Sequence, residues 1–475
     1  MAGRYTLSVH PPQLPGKSAA PVLQLARQAR DRGGRAFLVG GFVRDLLSGR
    51  PSKDVDVEVF GLALSELEVL LSGLGSVLRV GRAFGVLRVK GLDVDFSIPR
   101  RDSKVGKGHR GFATDYDTDM TPEQAVRRRD LTINALLMDP LTGELVDPCG
   151  GQEDLAQRRL RAVDPRTFPE DPLRPLRVAQ LAARLEFQPD EELIGICRGM
   201  DLSELPVERI WDEWHKLLLR GRRPSLGLEF LLAADLLRFT PPLQDLVGVP
   251  QDPEWHPEGD VWVHTLAAVD AAAGLRTGEG ELDQQIMLGA LCHDLGKAST
   301  TRFFDGRWRS HNHDTGGEKP AEALLAALGA PGRLSAPVKA LVRCHLRPAW
   351  FVAGGAQASA YRRLARQLDA AGTRMSTLER VARSDALGTA TPDGLAGRFP
   401  AGDAFLARAA DIKVKESRPT DVVQGRHLIA RGLQPGPFFS PILEQCRVVQ
   451  DENGWDDPER ILDRALADLV DPGSC

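Results

Sequence analysis

The stretch FLVGGFVRDLLSGRPSKDVDVEVFG, residues 37–61, decides the fold of the first part of the chain. Its apolar start reads as a strand running into a Gly40-Gly41 turn, and FVRDLLSG reads as a short helix closed by Gly49. Asp54 and Asp56 follow, two apart, in an alternating segment that reads as a second strand. Residues i and i+2 of a strand face the same side. Two carboxylates held there repel each other, so the pattern predicts a cation between them. A hard ion such as Mg²⁺, set against the phosphates of a nucleotide, suits such a pair. Glycines at 40 and 41 let backbone approach a triphosphate, and the helix N-terminus behind them favours anions. Arg44 and Asp45 sit on that helix.

Working outward, residues 19–32 and SELEVLLSGLG read as helices, and LRVGRAFGVLRVKGLDVDFSIPRR holds two or three strands. DPLTGE is a hairpin-like turn. Residues 1–17 are Pro-rich and expected to be loosely ordered. The β signal fades after EDPLRPLRVAQLAARLEF (170–187), and helical spacing dominates to about residue 250. PQDPEWHPEGD (250–260) reads as a break. A second helical block runs to about 395, ATPDGLAGRFPAGD reads as a linker, and a short helical tail closes the chain.

The 475 residues exceed one core and suggest two to four domains. A net charge of −4 means that nucleic acid would be met by a local basic patch, not by a basic protein as a whole. Arginine outnumbers lysine 50 to 11, which genomic base composition explains as well as phosphate recognition does. The six cysteines form no CxxC pair, which fits reduced thiols. There is no apolar h-region and no run of about 18 apolar residues, so the expectation is a soluble, cytoplasmic protein without a membrane partner.

Two further motifs join the first. RRRDLTINAL places Arg128, Arg129, Asp130 and Asn134 beside an apolar run, and EDPLRPLR places Asp171, Arg174 and Arg177 three apart. Side chains three apart share a helix face. An Asp and an Arg there offer an acceptor edge and a donor fork, able to read the edge of a base, although a lone D-x-x-R is ordinarily a surface ion pair. Pro175 places this segment at the first turn of a helix that begins near Pro172.

As a set, GGFVRDLLSGRPSKDVDV, RRDLTINA and EDPLRPLRVAQLAARLEF resemble the bacterial class of tRNA nucleotidyltransferases (CCA-adding enzymes) and their poly(A) polymerase relatives, over roughly residues 35–250. The resemblance implies an α+β head with a mixed sheet like that of DNA polymerase β, followed by an all-α neck and body. It implies that Asp54 and Asp56 hold catalytic Mg²⁺. Gly40, Gly41, Arg44, Arg129, Asp130 and Asn134 would contact the incoming nucleotide. Asp171 and Arg174 would select C or A without a nucleic-acid template, and Arg177 would touch phosphates or base. Asp95, in DVDFSIPRR with Asp93, is a candidate third carboxylate. Ser97 to Arg127 occupies the place of the family's flexible loop.

CHDLGK (292–297) sits in an apolar helical run, with His264 upstream and Asp385 downstream. Imidazole with carboxylate suits Mn, Ni, Co, Fe or Zn. This pattern resembles the HD phosphohydrolase superfamily, which implies an all-α domain and a divalent transition metal on His264, His293, Asp294 and Asp385. His311, His313 and His345 are further candidates for a second metal or for phosphate. The expected division is 1–165 head, 166–250 helical neck and body, 251–400 HD domain, and 401–475 a helical tail offering an RNA contact through Gly432 and Gly436.

The expected activity is addition of C and A from CTP and ATP to the 3′ end of tRNA. The HD half would hydrolyse phosphate esters at RNA 3′ ends, such as 2′,3′-cyclic phosphates. A partial CC-adding or A-adding enzyme and a poly(A) polymerase are the alternatives. A protein-modifying uridylyltransferase fits less well, because no pair of small-ligand modules follows.

Overall fold

The computed structural model describes residues 12, 14–52, 54–80, 85–104 and 112–470. The chain divides into two compact units, Met1–Glu213 with Leu226–Phe239, and Trp214–Ser225 with Thr240–Cys475.

The first unit opens with helix α1 (Ala19–Asp31), strand β1 (Arg35–Val39), helix α2 (Gly41–Leu47), strand β2 (Val55–Phe60) and helix α3 (Leu64–Ser72). β3 (Val77–Val80), β4 (Val86–Val89) and β5 (Val94–Ser97) follow, then the separate antiparallel pair β6 (Arg100–Lys104) and β7 (Phe112–Tyr116), and finally β8 (Leu137–Met138) and β9 (Leu145–Val146). Seven of these form one mixed sheet in the order β3-β4-β5-β2-β1-β8-β9, in which β2 and β5 are parallel. The β6–β7 pair falls inside the stretch expected to be a flexible loop, whose centre, like most of residues 1–17, lies outside the described residues.

The period-2 rule sorts β1 and β2 between two apolar clusters. Ala36, Leu38, Val55, Val57 and Val59 pack with Val22, Leu25 and Ala29 of α1 and Leu67 and Leu71 of α3. Phe37, Val39 and Phe60 belong to the other cluster, with Ala125, Val126 and Leu137. Each fully buried Val, Leu or Phe here contributes about 1.5–3 kcal/mol of transfer free energy. Asp56 and Glu58 alternate with the valines of β2, on the side of Phe60.

Helix Arg174–Leu185 carries Pro175 in its first turn, where proline removes no needed donor. It starts two residues later than the expected Pro172. Leu176, Val178, Ala179, Leu181 and Ala182 bury its inner face.

The second unit is mostly helical. Val261–Gly274, Gly280–Cys292, Ser335–Cys344 and Met375–Gly388 pack on one another. The expected linker at 390–403 is instead structured: Pro392–Leu395 is a short helix, and Pro400–Asp411 packs Phe405 and Ala409 into the same core as Met375 and Leu378. The all-α expectation also needs one correction, because Thr301–Phe304 and Arg307–Ser310 form a two-stranded antiparallel ribbon. PQDPEWHPEGD, read as a break, lies within this unit and contributes side chains to its polar centre. Helices Gly425–Ala430, Phe439–Asn453 and Pro458–Val470 close the chain around Leu428, Val449, Ile461 and Leu462. Among the described residues, no helix is long and apolar enough to cross a membrane.

Candidate active sites

The end of β1 meets β2 with Val39 opposite Asp56, and β5 sets Asp95 beside Asp56 on the other edge. Gly40 follows at φ +70°, ψ −135°, which only glycine adopts without strain. A Cβ there would stand 3.2 Å from Arg129 Nη1 and 3.7 Å from Asp56 Oδ2. The turn is thus a bare backbone rim beside a carboxylate and a guanidinium.

Asp54 is exposed just before β2, and Asp56 is half-buried within it. Burial, and then the charge of Asp95, raise the Asp56 pKa to about 6; Arg129 pulls the other way. Asp56 thus stands among other acids that Arg129 alone does not offset, a setting that favours a cation. Asp95 is engaged by Arg88, with Nη2 to Oδ2 at 2.8 Å and a second bond from Nε to Oδ1. Asp93 is exposed.

Glu58, two residues beyond Asp56 on the same face, is a residue that sequence reasoning missed. It is fully buried and accepts from Arg128 at 2.6 Å and from Arg129 at 3.2 Å. Burial opposes its charge, but Arg129 and Arg128 outweigh burial and hold its pKa below the ordinary value. The third acid in the alternation DVDVE was the available signal. Glu58 holds Arg129 near the Gly40 turn, and Arg129 Nη1 also donates to the Asn134 carbonyl at 3.3 Å.

Arg44, Asp130 and Asn134 form a buried relay. Arg44 donates to Asp45 at 2.8 Å and to Asn134 Oδ1 at 2.7 Å. Asn134 Nδ2 donates to Asp130 Oδ1 at 3.0 Å, and Arg177 Nε donates to Asp130 Oδ2 at 2.7 Å. Burial opposes the Asp130 charge, but Arg177, Asn134 and the Leu131 amide together drive its pKa well below the carboxylate range. The guanidinium of Arg44, expected to face the nucleotide, is buried within this relay.

Asp171 lies just before its helix, where Oδ1 accepts from the Leu173 amide at 3.0 Å. Arg174 donates to the carbonyls of Thr167 (2.8 Å), Phe168 (3.2 Å) and Arg128 (2.7 Å). Asp171 is extended and outside the helix, so the shared helix face expected of the two is not formed. They adjoin through the Arg174 amide, which donates to the Asp171 carbonyl at 3.1 Å, and the Arg174 fork braces the segment that leads into Asp171.

In the second unit, the expected ligands converge. His264, on helix Val261–Gly274, is fully buried; its Nε2 lies 3.2 Å from His293 Nε2, 3.0 Å from Asp385 Oδ1 and 3.8 Å from Asp294 Oδ2. His293 Nε2 is 3.2 Å from Asp294 Oδ2 and 3.7 Å from Asp385 Oδ1. His313 Nε2 is 3.4 Å from Asp294 Oδ1 and 3.3 Å from His345 Nε2. Among the described residues, His264-His293-Asp294 and Asp294-His313-His345 each bring their ligand atoms within 4.8 Å of one another, with Asp294 shared. His311 is exposed and belongs to neither group.

The outer nitrogens explain the orientation. His293, His313 and His345 each donate Nδ1–H to a carbonyl three residues back, Ala290 (2.7 Å), Ser310 (2.7 Å) and Val342 (2.6 Å). His264 Nδ1 meets Glu258 Oε1 at 2.8 Å. Four Nε2 atoms therefore turn to one space, which is how metal-binding imidazoles are held. Burial, with His293 and His313 adding to it, lowers the His345 pKa to about 4, so its ring is neutral near pH 7. Burial works against charge on His264, but Asp385 and Glu258 raise its pKa to about 9; with Nδ1–H on Glu258, the second proton stands on Nε2 against Asp385, where a cation would take its place. Asp294 Oδ2 is buried without a well-directed hydrogen bond, although Lys297 Nζ lies 2.7 Å away. Imidazole nitrogens and carboxylate oxygens gathered around Asp294 are a donor set that fits a divalent transition metal.

Glu258, His256 and Lys297 were missed by sequence reasoning. Glu258 accepts from the Ala390 amide at 2.9 Å and also meets His256 Nδ1 at 2.9 Å. Its only sequence signal was an acid close ahead of the helix of His264. Gly296 lets this segment pass the His313 carbonyl, which a Cβ would strike.

The poly A polymerase head domain family matches residues 36–161. A multifunctional CCA protein of Stenotrophomonas maltophilia is 40% identical over 321 residues, 66% of this chain and 76% of the relative. In fold, the chain is similar to a CCA-adding enzyme solved in complex with CTP (TM-score 0.62, 20% identity, 95% of this chain and 94% of that one). It is also similar to the Thermotoga maritima CCA-adding enzyme complexed with tRNA-CCA (TM-score 0.58, 18% identity, 95% of each chain).

Proposed function

The chain belongs to the multifunctional CCA proteins and is a nucleotidyltransferase of the CCA-adding kind, and from that premise we propose how its residues divide the work. The first unit adds C and A from CTP and ATP to the 3′ end of tRNA, and the second hydrolyses phosphate esters at RNA 3′ ends. The observation that carries the first half is the Gly40 rim standing between Asp56 and Arg129. Asp54 and Asp56 hold Mg²⁺, which supplies positive charge against the phosphates during transfer. Arg129 faces the triphosphate, steadied by Glu58 and the Asn134 carbonyl. Arg44, Asp130, Asn134 and Arg177 keep Arg129 and the base-selecting segment in register. Asp171 and Arg174 select the base, Arg174 with the donors its backbone bonds leave free. The residue ranges 1–165, 166–250, 251–400 and 401–475 remain our functional division.

The hydrolytic half is supported by the four imidazole Nε2 atoms turned toward Asp294 and Asp385. His264, His293, Asp294 and Asp385 hold one divalent transition metal, and His313 and His345 line the side that shares Asp294. The metal supplies Lewis acidity toward a phosphoryl group. His293 and Lys297 beside it favour the ionised form of Asp294, and Glu258 fixes the tautomer of His264. The joint logic is chemical: nucleotide addition needs a free 3′ hydroxyl, and a 2′,3′-cyclic phosphate masks it.

The test uses RNA substrates with blocked and free 3′ ends side by side. The wild type clears and extends both. His293→Ala with Asp294→Ala should extend only the free end and lose bound divalent metal in elemental analysis. Extension of the blocked RNA by that variant at the wild-type rate would remove the hydrolytic reading.

A further inference from the structure

The ribbon of the second unit pairs Thr301 with Ser310, Arg302 with Arg309, Phe303 with Trp308 and Phe304 with Arg307. Directly paired residues share a face, so Phe303 and Trp308 lie on one side and Arg302, Arg309, Phe304 and Arg307 on the other. The rings of Phe303 and Trp308 meet edge to face, centroids 5.1 Å apart, and brace the ribbon. The other face has no such explanation. Arg302 and Arg309 stand opposite each other, a like-charge arrangement that weakens a ribbon. Arg302 donates to the Thr301 carbonyl at 2.7 Å, and Asp305 lies 3.8 Å from Arg309. Arg307 pairs with Glu254 at 2.8 Å. Phe304 is 64% exposed beside Arg309, whose guanidinium carbon is 5.8 Å from the ring centroid.

The base of the ribbon is tied to the metal-ligand cluster. His313 Nδ1 donates to the Ser310 carbonyl, and the hydroxyls of Thr301 and Ser310 are 2.8 Å apart. Four residues of strand reach ~14 Å outward from there, the length of a few stacked nucleotides.

We propose that this arginine face is a binding platform for the single-stranded 3′ segment of an RNA, with phosphates on Arg302 and Arg309 and an unpaired base stacked on Phe304. The inference rests on the hydrolytic reading above and adds what delivers the RNA end to that centre. A polyanion relieves the Arg302–Arg309 repulsion, and an aromatic face accepts any base, so the platform selects single strands, not sequence. A duplex, whose bases are already stacked, offers Phe304 nothing.

The test compares the full chain with Arg302→Ala/Arg309→Ala and with Phe304→Ala. The substrates are a short single-stranded RNA ending in a 2′,3′-cyclic phosphate and bis(4-nitrophenyl) phosphate, which is too short to reach the ribbon. The double arginine variant should raise KM for the RNA at least about tenfold and reduce the slope of log KM against log salt by about 1.4, since each single-strand phosphate contact contributes about 0.7. Phe304→Ala should raise KM about tenfold with the slope kept. Turnover of the small ester should hold in both, showing an intact centre. Unchanged RNA KM and slope would overturn the platform while leaving the hydrolytic reading in place. Binding of the same RNA, 5′-labelled and followed by anisotropy, gives a second readout that does not depend on hydrolysis. If the wild type hydrolyses neither substrate, the hydrolytic reading fails, and equal affinity and salt slope in all three proteins would overturn the platform as well.

Discussion

Arg177 donates Nε–H to Asp130 Oδ2 at 2.7 Å, and this bond joins helix Arg174–Leu185 to the RRDLTIN segment. Asp130 is buried and also accepts from Asn134 and the Leu131 amide.

Removing the cation therefore leaves a buried carboxylate short of charge. Arg177→Ala should cost about 2–3 kcal/mol of stability, below the full range for a buried pair because 37% of the Arg177 side chain is exposed. Chemical denaturation of wild type and variant checks this, and a loss under about 0.5 kcal/mol would show that the relay does not hold the helix.

The same carboxyl sets a pH signature. Its folded pKa lies below its unfolded value, so its contribution is complete above about pH 3.9 and is lost as pH falls through the folded pKa. The stability gap between wild type and Asp130→Asn should be wide at neutral pH and narrow below about pH 3.9. Denaturation curves that keep the same gap throughout would assign the effect to packing.

Asp56→Asn should abolish nucleotide addition without unfolding the head. The substitution removes a carboxylate that burial and Asp95 already disfavour, so the metal-free variant should melt no lower than wild type. Mg²⁺ should raise the melting temperature of the wild type more than that of the variant. Normal turnover in the variant would exclude Asp56 as a metal ligand.

Asp171 and Arg174 should control the choice between CTP and ATP. A bidentate base contact is worth about 1–3 kcal/mol of discrimination, so substituting either residue should shift the CTP:ATP ratio of kcat/KM by roughly one order of magnitude. Arg174→Ala also frees the carbonyls of Thr167, Phe168 and Arg128, so Arg174→Lys is the gentler comparison. An unchanged ratio in both would make the pair purely structural.

Glu258→Gln leaves every proposed metal ligand in place but weakens the hold on His264 Nδ1. Outer partners of this kind are worth about 10–100-fold in metal affinity. Competition with a metal chelator reads that loss directly. Wild-type affinity in the variant would show that helix Val261–Gly274 alone orients the ring.

What was legible in the sequence was local. Asp54, Asp56 and the Gly40 turn are set by a period of two and by one glycine conformation, both of which operate within a few residues. His264, His293, Asp294 and Asp385 were recognisable by type, although nothing in their spacing could show that His313 and His345 share Asp294 while His311 does not. Glu258 was hidden because a Pro-rich, acidic stretch looks like a break whether or not it folds back on a helix. The ribbon escaped because TRFFDGRWRS has no apolar alternation: both faces are open, so burial never imprinted a pattern. The 390–403 segment misled for the converse reason, since its turn-forming residues carry a helix start at Pro400 and conceal the burial of Phe405 a few residues on.

The carbonyl latches on His293, His313 and His345 each close within a single turn of backbone. Ring orientation is thus a property of each segment before the segments meet. An incoming ion would find those three rings with little rotational freedom left to lose. Fixing a free side chain costs about 0.5–1.5 kcal/mol of entropy, so tight capture need not come from stronger bonds. It also separates the ligands in kind: the three latched rings should hold their geometry when the metal is stripped, whereas His264, which depends on Glu258 six residues away, is the ring most able to turn.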